Sequence, residues 1–204
     1  NVKAAIIVWD QQEKYLDRKH VIEAAWNWIN MTIPVISSTF ASFSRMCKNL
    51  GAETLGHLFI DEAGQALPQA AVGAIYRSRH VMVVGDPLQI KPVLTLDSNT
   101  LYMLGEHFGV TEKYLSASAS AQILADAASQ YGFYRKQDKA EDSWGGIPLW
   151  VHRRCRYPMF TISNMISYDG FMVQGMEKYG KTDWFDVGGT ANNKYVEEQG
   201  EFLL

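Results

Sequence analysis

The stretch HLFIDEAGQALPQAAVGAIYRSRHVMVVGDPLQIKPVL, residues 57–94, decides the fold. It holds two short apolar runs, Leu58-Phe59-Ile60 and Val81-Met82-Val83-Val84. Each stops at acidic residues, Asp61-Glu62 after the first and Gly85-Asp86 after the second. An apolar run of this length without polar alternation predicts a strand covered on both faces. The helical segment between the runs, with Pro68 at its first turn, supplies the crossover that a parallel pair needs. In open α/β sheets ligands bind beyond the carboxyl ends of the strands, so Asp61, Glu62, Asp86 and Gln89 are expected along one edge.

Around this centre the composition is that of a globular protein: 204 residues, 47% of them hydrophobic, enough for a sizeable core and against a disordered chain. A formal charge of −3 excludes a surface that wraps duplex nucleic acid over its whole extent and leaves room for a local basic groove. Cys47 and Cys155 lie far apart, with neither CxxC nor Cys/His spacing, so neither a disulfide framework nor a structural zinc is indicated; a reducing, intracellular (cytoplasmic) setting is expected. No apolar run approaches the ~20 residues of a membrane span, and no membrane partner is expected. The chain opens at Asn1 and ends at Leu204, which reads as a piece of something longer.

Outward on the N-terminal side, Val8, Tyr15, Ile22 and Ile29 recur every seven residues and predict one long helix over residues 6–31 that packs on a core. A strand is expected over 33–40, closing in the hydroxyls of Ser37, Ser38 and Thr39, then a short helix over 41–50 stopped by Gly51. Hydroxyls at such a junction are ordinarily helix caps. On the C-terminal side, Asp97-Ser98-Asn99 reads as a turn, 118–130 as an Ala/Ser-rich helix, and 135–142 as a solvated charged loop. Gly145-Gly146 marks a boundary before an apolar strand over 147–151, which leads into His152-Arg153-Arg154-Cys155-Arg156 and a helix over about 159–166. A strand over 184–187 and a helix over 193–199 complete the expectation.

An Asp closing a buried parallel strand and followed at once by Glu is the arrangement with which nucleotide hydrolases hold Mg²⁺ and orient the attacking water. Asp61 would hold the metal and Glu62 would take the proton. Alone the pair is more often an acidic turn, because short motifs occur freely. It has company in Gly85-Asp86-Pro87-Leu88-Gln89 and in Arg154, whose guanidinium suits the charge spread over a transferring phosphoryl group. For Arg153, Arg154 and Arg156 the plainer reading is a basic surface turn.

These residues resemble a known family. Asp61-Glu62-Ala63-Gly64-Gln65 is similar to the DEAxQ form of helicase motif II, Gly85-Asp86-Pro87-Leu88-Gln89 to the GDxxQ of motif III, Ser38-Thr39-Phe40-Ala41-Ser42 to motif Ic, and residues 149–170 to motif IV and the helix after it. In order and spacing they resemble the P-loop helicases of superfamily 1, in the branch of the nonsense-mediated-decay helicases. The resemblance implies an α/β fold of RecA-like parallel sheets with flanking helices: the latter part of a first domain over 1–144 and the beginning of a second over 145–204, with ATP between them. It implies Asp61, Gln65, Gly85 and Asp86 around ATP and its Mg²⁺, with Asp61 on the metal. Glu62 is then the base, Gln89 (with Gln65) senses the nucleotide, and Arg154 is the arginine finger. Ser38 and Thr39 would touch the backbone of single-stranded DNA or RNA. No GxxxxGK[ST] phosphate loop occurs in the 204 residues, so this stretch by itself is expected to be inactive and to bind ATP weakly or not at all. Two other readings stand beside the helicase. One is a non-catalytic nucleic-acid-binding or scaffolding module of the same fold; the other is a phosphodiesterase with two metals on Asp61, Glu62 and Asp86.

Overall fold

The structure, a computed structural model, describes the chain except Thr95, Glu112, Lys113, residues 116–118 and 136–142, Glu177 and Lys178. The expected charged loop therefore lies, beyond Arg135, outside the described residues, as does the first residue of the Ala/Ser-rich helix. The described residues form an α/β arrangement whose three sheets are two-stranded, two of them parallel. The chain divides into two compact units, Asn1–Ile147 and Pro148–Leu204.

The first unit opens with helix α1 (Val2–Asp10) and α2 (Lys19–Thr32), which pack on each other. Between them a 3-10 segment, Gln12–Arg18, is kinked at Tyr15 (φ −120°, ψ 17°), so the single helix expected over 6–31 is broken. The seven-residue repeat survives the break because Tyr15 still packs on the cluster of Ile22, Trp26, Cys47 and Leu50. Folding the segment back brings Trp9 edge-on to Trp26 at 6.3 Å, a contact that a straight helix cannot make. The strand expected over 33–40 does not form. Val35 is 82% exposed, Pro34 lacks an amide, and no ladder partner lies beside the segment among the described residues. Helix α3 (Phe40–Met46) follows, shorter than expected.

The 57–94 stretch folds largely as read. Strand β1 (Leu55–Ile60) and β2 (Ser78–Val83) pair in parallel, Leu58 with Val81 and Ile60 with Val83. Helix α4 (Pro68–Tyr76) crosses between them with Pro68 at its start. One face is covered: Ile60, Ala63, Ala71 and Ala121 form a buried cluster, joined by Phe40, Leu58, Ile75 and Val83. The opposite face is open, with Phe59 67% and Met82 57% exposed and His57 stacked on His80 at 5.0 Å. Cover on both faces is thus corrected to cover on one. Arg77 ties the region together: its Nε donates to the Cys47 carbonyl and its Nη1 to that of Gly73, both at 2.8 Å.

Asp97 is not a turn residue but the cap of helix α5 (Ser98–Phe108), which ends at Gly109 in the left-handed conformation. Helix α6 (Ala121–Ala128) is capped by Ser120, whose Oγ accepts from the Ile123 amide. A hairpin of β3 (Phe133–Arg135) and β4 (Ser143–Gly145) closes the unit.

The second unit begins with a parallel pair, β5 (Val151–His152) and β6 (Val173–Gln174), joined through α7 (Met159–Tyr168). The amide of Asn164 donates to the Met172 carbonyl and accepts from its N–H, both at 3.0 Å, so one side chain docks the returning strand on the helix. No strand forms over 184–187. The last helix, α8 (Glu197–Leu203), starts later than the sequence suggested.

Candidate nucleotide site

Parallel pairing sets the site. With Ile60 opposite Val83, the chain leaves both strands at one edge, and the ladder continues past them: Val84 N–H donates to the Ile60 carbonyl (2.8 Å) and Ala63 N–H to that of Val84 (3.0 Å). The loops bearing Asp61-Glu62 and Gly85-Asp86 are therefore held to each other by backbone bonds. Glycine makes the approach possible. A β-carbon on Gly64 would lie 2.5 Å from the Asp86 carbonyl oxygen, and one on Gly85 would lie 2.6 Å from the Gly64 nitrogen and 2.8 Å from that of Ala63. No other residue fits either place without moving backbone.

Each loop orders its own carboxylate. Asp61, exposed, accepts the Glu62 amide on Oδ1 at 3.0 Å. Glu62 sits in the left-handed region (φ 52°, ψ 38°), sparsely populated by residues with a side chain, and Gln65 Nε2 donates to its Oε2 at 3.2 Å. In the second loop, half-buried Asp86 accepts Leu88 N–H (2.9 Å) on Oδ1 and Gln89 Nε2 (2.8 Å) on Oδ2. Two matched pairs result, Glu62 with Gln65 and Asp86 with Gln89, the glutamine in each standing three residues after its carboxylate and bonded to it.

The exposed Asp61 carboxylate has one oxygen engaged by an amide, and a single carboxylate is the kind of protein ligand Mg²⁺ takes when phosphate and water complete its shell. Two metals on Asp61, Glu62 and Asp86 would need these carboxylates to converge, and no group of three or more His, Cys, Asp or Glu side chains able to hold a metal is present among the described residues.

Ser38 and Thr39 make local bonds: Ser38 Oγ donates to the Thr39 carbonyl at 3.0 Å, and Thr39 Oγ1 accepts Ser42 N–H at 3.2 Å as the cap of α3. The cap uses the Thr39 oxygen as acceptor and leaves its proton able to donate elsewhere. Arg154 belongs to the second unit, exposed in the turn after β5. That turn is clamped by His152, whose Nε2 accepts the Cys155 amide at 2.8 Å while its ring lies 5.3 Å from Phe160.

Two residues of the site's surroundings escaped the sequence reading. Gln122 and Asp126 of α6 are both buried, with Gln122 Nε2 donating to Asp126 Oδ1 at 2.8 Å. The available signal was their spacing of four on one helix face. Compared with family models, curated proteins and solved structures, the chain matches none.

Proposed function

We propose that this chain carries part of the ATP-hydrolysing apparatus of a helicase or translocase that moves on single-stranded DNA or RNA, in RecA-like domains. The observation supporting this most is the joining, at one edge of a parallel pair, of two acid-bearing loops whose glycines let their backbones touch. Bound Mg²⁺ would supply neutralisation of phosphate charge, and Asp61 would hold it. Glu62 takes the proton of the attacking water, its carboxylate oriented by Gln65. Gln89 and Gln65 each hold a carboxylate and can exchange that bond for one to a phosphate oxygen, the behaviour expected of nucleotide sensors. Arg154, from the second unit, stabilises charge on the transferring group, and Thr39 with Ser38 donates to the nucleic-acid backbone. The test is ATP hydrolysis by the whole gene product, with and without single-stranded nucleic acid. Stimulated, Mg²⁺-dependent turnover supports the reading; nucleic-acid binding with no turnover leaves the non-catalytic module in its place.

A further inference from the structure

We propose that Gln122 and Asp126 form a poised hydrogen-bond relay: Asp126 is bonded to Gly146, in the segment through which the chain continues into the second unit, and Gln122 turns an unmet acceptor toward the Gly85-Asp86 loop. Asp126 is 5% exposed, and its Oδ1 accepts two donors, Gln122 Nε2 at 2.8 Å and Gly146 N–H at 3.0 Å. The carboxylate fixes the orientation of the glutamine amide: its NH₂ must face Asp126, so its oxygen faces away. That oxygen lies 3.0 Å from where a β-carbon on Gly85 would stand, is buried, and has no hydrogen-bond partner among the described residues. A buried acceptor left without a donor is costly. The arrangement is therefore poised, because a small movement of the two glycine loops that offers Gln122 Oε1 an N–H is favoured. Any such movement pulls on Asp126 and, through it, on Gly146, which stands two residues before the second unit. Ala121 N–H, donating to the Ala66 carbonyl at 2.9 Å, keeps the start of α6 seated on the first loop, so the helix transmits a shift instead of absorbing it. Gln122 and Asp126 are positioning residues that act through Gly85 and Gly146. Their service to ATP turnover rests on the function proposed above, whereas the relay itself does not.

Amide resonances of the full chain, recorded without nucleotide, test the relay separately from that function. Asp126→Asn should accelerate exchange of the Gly146 N–H by about tenfold, as replacing a carboxylate acceptor by a neutral amide oxygen implies, and should also shift the Gly85 and Gly64 amides. Gly146→Ala, which puts a methyl 3.0 Å from Asp126 Oδ1, perturbs the relay from its far end should Asp126→Asn fail to fold, and should move the same loop amides. In a Gln122→Met background neither change should reach Gly85. Shifts at Gly85 that persist undiminished in Gln122→Met, or no response at Gly85 to either substitution, overturn the relay. Absence of ATPase activity in the gene product with these shifts intact overturns only the functional reading.

Discussion

Gly64 and Gly85 meet backbone to backbone, so that a β-carbon on Gly85 would stand 2.6 Å from the Gly64 nitrogen. The two loops can be joined this closely only because neither residue has a side chain. Gly85→Ala and Gly64→Ala should each destabilise the first unit by about 1–3 kcal/mol, the range for forcing atoms into a filled site. Gly56→Ala, in β1 with nothing within 4 Å of the added carbon, is the control and should be neutral or slightly stabilising. Urea midpoints of the three variants decide the matter; equal midpoints would mean that the loops yield freely.

Glu62→Gln in the whole gene product should abolish ATP hydrolysis while Mg²⁺-ATP binding persists, since the amide cannot take a proton and Asp61 is untouched. Single-turnover kinetics alongside equilibrium titration separate the two effects. Normal turnover would place the base elsewhere.

Arg154→Ala should lower turnover by roughly 10³ to 10⁵, the range for an arginine finger. Arg153→Ala and Arg156→Ala should cost far less, and Arg154→Lys should rescue incompletely because a point charge does not reproduce the planar fork. Equal, mild losses across the three arginines would return the turn to a basic surface.

The cysteines should separate by reactivity. Burial pushes the Cys47 thiol up to about 11, with the nearby Arg77 guanidinium opposing it, so almost no thiolate exists at neutral pH. Cys155 is only half-buried. Timed alkylation at pH 8, read by peptide mass spectrometry, should modify Cys155 well before Cys47 in the folded chain and both together in urea.

Asp97 predicts an acid-sensitive helix start. Hydrogen bonds from the Thr100 hydroxyl (2.6 Å) and amide (3.0 Å) hold its carboxyl below its usual value of 3.8. A lowered folded-state value means stabilisation that is fully present above the ordinary carboxylate range and is lost as pH falls through the depressed value. The Thr100 amide shift should titrate with a midpoint below 3.8, and Asp97→Asn should remove that inflection. A midpoint at or above 3.8 would mean that the cap does not favour the ionised form.

Sequence alone determined the elements whose signals are local. Two apolar runs of strand length, a helical interval opening at Pro68 and acids at both strand ends were enough to place β1, α4, β2 and the loops of Asp61-Glu62 and Gly85-Asp86, because chain connectivity and parallel pairing leave little else for such a pattern. Helix α5 was equally local: Asp97 and Gly109 are ordinary start and stop residues, and reading the first as a turn overlooked the second. What tertiary structure decided was whatever depends on a distant partner. Residues 33–40 have the composition of a strand but no ladder partner among the described residues. A seven-residue repeat over 6–31 is satisfied equally by a straight helix and by two that fold on each other, and the Trp9–Trp26 contact selects the second. The fit of Gly64 against Gly85, and the turning of Gln122 and Asp126 from an ordinary helix face into a buried polar pair, arise where segments remote in sequence exclude water from the same place. Local propensity carries no record of such a meeting, because the cost of an unmet hydrogen bond or an overlapping atom exists only once the chain has brought the groups together.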